Sequence, residues 1–150
     1  MLMKIFFLVF IVALALSLVW EHLHFPLYDC SAGCSVRTLA LFPSVPLLVK
    51  ASVFDAFFIT LLYCLISIVH QNRNWVRWWN LGDTLLILGI GFSATALLEH
   101  NALALHKWAY TTAMPIVPFL DIGLSPFVQL ALLALTTYTI VEKLETFFSN

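Results

Sequence analysis

Three of the chain's eight carboxylates, Glu21, Asp55 and Glu99, are the residues whose type and spacing could do chemistry. Each stands at the margin of a long apolar run: Glu21 directly after the first, Asp55 within the first turn of the second, and Glu99 directly after the third. All three therefore belong at one membrane depth. Grouped carboxyls in an apolar setting can divide acid–base work, one staying protonated as the acid and another staying ionised as base or cation stabiliser. An Asp at a helix start is also a favourable dipole partner, whereas a Glu at a helix C-terminus faces the wrong end of the dipole and must be held by something else. Convergence in one pocket and three separate positions around the ring of the bundle are both open on this pattern.

Aromatic and amide groups gather at the same level. Trp20, Tyr28, Trp108 and Tyr110 suit an interfacial belt and equally the wall of a substrate site. Gln129 is less ordinary, because a buried primary amide needs partners and a carboxylate from another helix supplies one. Gly89, Ser93 and Ala96, with Gly91 beside them, form a small-residue face suited to close helix packing. His22, His24, His100 and His106 could join Glu21 or Glu99 around a metal. There is no HExxH, and His22 and His24 point to different sides of any regular element, so no metal site is assigned. A haem needs His deep in two spans, and none is there. The sequence names no cofactor and leaves that question open.

The elements that must position these groups follow from composition. The 150 residues are 62% hydrophobic and 10% charged, with a mean hydropathy of +0.98, which is a membrane protein and not a soluble domain. A net charge of −1, with seven Lys and Arg scattered along the chain, gives no cationic surface for nucleic acid. Four apolar runs, at about 5–20, 53–69, 84–98 and 124–141, predict one all-α transmembrane domain, a four-helix bundle. Lys4, the apolar run and Ala13 and Ala15 also fit a signal peptide, but the run continues to an anchoring Trp20, which favours a retained helix. Ser125 and Pro126 read as the N-cap and first residue of the fourth helix.

The turn from Gln71 to Asn80 is short, basic and aromatic, the look of a cytoplasmic loop. That choice puts both termini inside, with Lys4, Arg73, Arg77 and Lys143 on the inner side against Arg37, Lys50 and Lys107 outside. Asp83 is then the acid nearest an inner span end, and no ionisable residue stands in mid-span. The long outer connections carry the greasy, proline-punctuated segments 42–48 and 114–120, expected to be interfacial or re-entrant. Cys30 and Cys34 fall in the first of them, where an oxidising compartment would let them pair, while Cys64 acts as a small hydrophobe.

Cys30-Ser-Ala-Gly-Cys34 in an outer loop of a four-helix membrane protein resembles, in topology, the quinone-reducing thiol oxidase family. The spacing is not that family's Cys-x-x-Cys, and the second outer loop lacks its cysteines, so a structural bridge or two free thiols fits better. Two blocks, Trp20 to Tyr28 (WEHLHFPLY) and Trp108 to Pro115 (WAYTTAMP), followed by Gly123 to Gln129 (GLSPFVQ), resemble an uncharacterised family of small four-helix bacterial inner-membrane proteins. That resemblance covers most of the chain, aligns Asp55 and Glu99 with acidic positions of the family, and implies a shared pocket on the outer face; His22 and His24 depart from the pattern. It carries no activity.

The expectation drawn from these residues is a membrane-embedded enzyme for a lipid or isoprenoid-like substrate. Glu21, Asp55 and Glu99 would be catalytic, and Trp20, Tyr28, Trp108, Tyr110 and Gln129 would bind substrate at the outer leaflet of a bacterial inner membrane. A non-catalytic subunit of a membrane complex, with the acids paired to other subunits, and an oligomeric proton- or cation-coupled transporter are the alternatives. Membrane lipids are the partners common to all three.

Overall fold

Every fourth residue of the first helix is turned inward: Ile5, Val9, Ala13 and Ser17 are buried, and the same stripe then delivers Glu21 and His24. Residues four apart share one face of a helix, so this stripe both packs the bundle and carries its chemistry. In the computed structural model, which describes residues 2–29 and 45–147, this helix is α1 (Leu2–His24). Three more follow, α2 (Val45–Val69), α3 (Leu81–Ala104) and α4 (Leu124–Phe147). All four are long and apolar enough to cross a membrane, and the chain is an all-α, multi-pass four-helix bundle.

The helices overrun the apolar cores from which the spans were read. α1 continues past Trp20 through Glu21 to His24, and α3 continues five residues past Glu99. α2 begins at Val45, inside a proline-bearing stretch that reads as loop; a proline early in a helix loses no hydrogen bond, so Pro46 does not stop it. α4 begins at Leu124, and Ser125 does not cap it, because its hydroxyl is engaged elsewhere.

Around the bundle the order is α2, α1, α4, α3: α1 packs on α2 and α4, and α4 packs on α3, while α2 and α3 barely meet although a short turn joins them. The turn itself explains this. Trp75 and Val76 bury themselves in a 3-10 turn (Trp75–Arg77) that packs on α4. The Trp75 indole N–H donates to Ser67 Oγ (3.1 Å) and the Tyr63 carbonyl (3.3 Å), and its ring meets Tyr138 edge-on at 5.3 Å. Tyr138 in turn donates to the Ile59 carbonyl (2.7 Å) and Tyr63 to the Arg73 carbonyl (2.6 Å). α2 is thus tied to the turn and to α4, not to α3. Ion pairs close this end, which also holds both helix termini: His70 with Asp83 (2.7 Å), Arg77 with Glu145 (2.9 Å) and Lys4 with Glu145 (3.4 Å). Asn80 and Asp83 form a reciprocal capping box that starts α3.

At the far end, two short ribbons do the tying. β1 (Tyr28–Asp29) pairs with β2 (Ala109–Tyr110), putting Tyr28 opposite Tyr110 and joining the ends of α1 and α3. β3 (Ile116–Val117) and β4 (Ile122–Gly123) make a hairpin that leads into α4, with Met114 buried against Gly123. The proline-rich segment 114–120 therefore folds back as a hairpin against the end of the bundle. The matching segment of the first loop lies outside the described residues up to position 44, as do Cys30 and Cys34. Cys64 is a free, half-buried thiol.

The small-residue face of α3 is rotated from the one expected. Asp83, Ile87, Gly91, Thr95, Glu99 and Ala102 are buried, while Gly89 and Ser93 are exposed. Gly91 is the close-packing residue, since a Cβ there would stand 2.7 Å from the Ala131 Cα of α4; around Gly89 nothing lies within 4 Å. Gly91→Val should accordingly lower stability by about 2–3 kcal/mol or more, because the obstructing atoms are backbone. Gly89→Ala should raise it by about 0.5–1 kcal/mol through helix propensity alone. Thermal unfolding in detergent reads both, and equal midpoints for the two variants would mean that α3 meets α4 through another face.

Candidate functional site

Three helices send polar side chains to the same buried place. Gln129 of α4 donates both hydrogens of its amide nitrogen, one to Glu21 Oε1 of α1 (2.7 Å) and one to Asp55 Oδ2 of α2 (2.6 Å). Sharing one donor confines those two carboxyl oxygens to within about 5–6 Å, two hydrogen-bond lengths. The other Glu21 oxygen meets His24 Nε2 (3.1 Å), and His24 Nδ1 meets Ser125 Oγ (3.0 Å). Glu21 is therefore engaged at both oxygens and Asp55 at one.

Glu99 is held separately. Its Oε2 accepts from the Trp108 indole (3.3 Å) and from the Tyr110 phenol. These donors answer the dipole problem that a Glu near the end of α3 raises, and they come from the segment just beyond that helix. His106, in the left-handed region (φ 51°), turns the chain so that the Lys107 N–H bonds back to the Ala102 carbonyl (2.9 Å), which brings Lys107 and Trp108 over the site.

Tyr28 stands between the two groups. Its ring packs edge-on against His24 (5.3 Å) and Trp108 (5.9 Å) and is tilted against Tyr110 (5.6 Å). Burial lifts its phenol well above the ordinary tyrosine value, and Glu99, Tyr110, Glu21 and Asp55 all push the same way. Tyr110 is raised by burial and by its bond to Glu99. Both phenols stay protonated at any working pH, so they act as fixed donors. The three carboxylates do not share one site: Glu21 and Asp55 meet at Gln129, and Glu99 is held apart by Trp108 and Tyr110.

Beside this network lies a partly open cavity of about 380 Å³ in the gap between α2 and α3. Asp55, Glu21, His24 and Gln129 form its polar wall, Tyr28 and Trp108 its aromatic one, and the remainder is mostly apolar. Phe54 of α2 and Leu98 of α3 line the cavity and are also half exposed on the outside of the bundle, so the gap opens sideways. Glu99 and Tyr110 are not in that wall; Glu99 reaches the cavity only through Trp108. Trp20 lies off it too, against His24 at 6.2 Å, with an indole N–H that has no hydrogen-bond partner among the described residues.

Two features differ from the sequence reading. Asp55 is not at a helix start: it is the eleventh residue of α2, and it bonds Gln129, the sixth residue of α4, so it lies inside its helix at the site end of the bundle. His24, read as one of several loop histidines, is buried in the network. The signal for it is the Glu21-x-x-His24 spacing, which puts both on one face once α1 is allowed past Trp20. His22, on the opposite face, is exposed and bonds back to the Leu18 carbonyl. Among the described residues no group of three His, Cys, Asp or Glu side chains is placed to hold a metal ion.

No protein-family model matches the chain, and neither a curated protein nor a solved structure does.

Proposed function

We propose that this protein is a membrane-embedded enzyme that works on a lipid or isoprenoid-like substrate entering sideways between α2 and α3. The observation that carries the reading is Asp55, a carboxylate with one oxygen uncommitted to any described residue, set in the polar wall of a cavity that is mostly apolar elsewhere and opens toward the bilayer. Asp55 exchanges the proton with the substrate. Gln129, Glu21, His24 and Ser125 fix its position through a hydrogen-bonded line. The Tyr28 ring and the Trp108 indole seat the chain of the substrate and keep water out.

The test is conversion. The chain reconstituted in nanodiscs made from a total bacterial lipid extract should change the mass spectrum of that extract, and boiled protein should not. An unchanged lipid profile across extracts from several growth phases would remove the enzyme reading. The position of Asp55 inside its helix gives specific support to a second reading, proton- or cation-coupled transport by an oligomer, and a pH-sensitive dye inside sealed vesicles reads it directly.

The site end of the bundle faces outward in this proposal, in a bacterial inner membrane with both termini cytoplasmic. Support comes from the basic, aromatic turn around Arg73 and Arg77 at the opposite end. In a cysteine-free background, Asn72→Cys should react with an impermeant reagent only in opened cells, and Ala113→Cys should react in intact ones; both positions are exposed. The reverse pattern turns the proposal upside down.

A further inference from the structure

The mouth of the cavity carries charge of the opposite sign to its depths. Lys50 of α2 and Lys107 beyond α3 both line the cavity, on its two sides, and both are exposed. Neither makes an ion pair or hydrogen bond among the described residues, whereas Lys4 and Arg77 at the other end are paired with Glu145. Lys50 precedes Asp55 by five residues on the same helix, about 7–8 Å along its axis toward the far end. Lys107 lies eight residues beyond Glu99, past the end of α3. The exposed Asn101 lines the mouth as well and adds an amide. The site is therefore layered: cations and an amide outermost, then Asp55, Glu21 and Gln129, with apolar walls leading out between Phe54 and Leu98.

We infer that the ligand of this cavity is a membrane amphiphile that ends in a phosphate monoester. This rests on the lipid-enzyme reading and names its substrate class. Two ammonium groups facing one space repel a cationic headgroup and gain nothing from a neutral one, while a phosphate can meet both at once. A cavity of about 380 Å³ takes a headgroup and the first part of one chain, not a whole lipid, so the tail must leave through the lateral gap into the bilayer. With the phosphate at the lysines, Asp55 stands further in, on the side of the junction of headgroup and chain. That is where a phosphorylated isoprenoid carries its first double bond and a phosphorylated diacylglycerol its ester links. The uncharged apolar flanks also explain why free phosphate is not the ligand: two exposed lysines alone hold it weakly in water.

Native mass spectrometry of the detergent-solubilised chain tests this with three probes: dioctanoyl phosphatidic acid, dioctanoylglycerol and inorganic phosphate. Phosphatidic acid should bind one per chain, at least tenfold more tightly than dioctanoylglycerol, and inorganic phosphate should not displace it at equal concentration. Lys50→Gln together with Lys107→Gln should weaken phosphatidic acid about tenfold or more and leave dioctanoylglycerol unchanged. Lys143→Gln, which removes an exposed cation at the other end, should change neither. Equal binding of the two lipids, or an equal effect of Lys143→Gln, overturns the phosphate assignment and leaves the lipid-enzyme reading standing. Binding of inorganic phosphate as tightly as phosphatidic acid overturns it in favour of a soluble ligand. Failure of both lipids to bind the folded chain removes both conclusions.

Discussion

Gln129→Leu should cost the bundle about 3–5 kcal/mol, one of the largest losses available from a single polar side chain here. Leucine fits the space and suits the surroundings, so packing is not what is lost. The substitution removes the only donor to Asp55 among the described residues and one of two partners of Glu21, leaving two buried carboxyls facing one another across the place where the amide stood. Each orphaned acceptor forfeits its hydrogen bond without regaining water. α1, α2 and α4 are joined at this depth by that one nitrogen, so the damage spreads to three helices. Glu21→Gln added to Gln129→Leu should recover part of the loss, because the new amide can donate to Asp55 in place of the old one. Unfolding midpoints in a graded detergent series for the two single variants and the double variant give the coupling directly. A loss under about 1 kcal/mol for Gln129→Leu, with additive doubles, would show that the carboxyls are satisfied by something other than the amide.

How far this site is legible in the sequence depends on where helices end. Apolar runs locate four spans, because nothing else in 150 residues can satisfy a backbone in lipid. Their ends are another matter. Glu21 and His24 look like loop residues only while α1 is stopped at Trp20; four residues more of helix place them on the buried stripe begun by Ile5. Asp55 looks like a dipole partner only while α2 starts at Val53. The charge that appears to end a span is in each case inside it, held by an amide, an imidazole or an indole supplied from another part of the chain. Composition cannot reveal such partners, since Gln129 is 108 residues from Glu21 and 74 from Asp55.

The lateral gap was equally hidden, and for a different reason. A ten-residue connection between two helices normally implies that they pack together. Here the connection contains its own wedge: Trp75 and Val76 bury themselves against α4, and the buried hydroxyl of Tyr138 fastens α2 across the bundle through the Ile59 carbonyl. A tryptophan-rich turn reads as an interfacial anchor, and Trp78, which is exposed, fits that description; Trp75 does not.

Asp55→Asn should abolish lipid conversion, by about a hundredfold or more, while the protein stays folded. The asparagine carbonyl can still accept from Gln129, so the junction of the three helices survives; what disappears is the group that can hold and release a proton beside the cavity. Glu99→Gln is the informative comparison. On sequence alone the two acids are equivalent, but Glu99 is bound by Trp108 and Tyr110 away from the cavity wall, and a Gln carbonyl can accept from the same two donors. Its loss should be modest, about tenfold or less, and should fall on substrate affinity, because its effect passes through the Trp108 ring that lines the site. Glu21→Gln should lie between the two, since it disturbs Asp55 only through the shared amide and loses the pairing with His24. Turnover at saturating and at limiting lipid separates these outcomes. If Glu99→Gln were the inactive protein and Asp55→Asn the active one, the proton would be moving on the aromatic side of the site, and the cavity between α2 and α3 would be a binding groove without its chemistry.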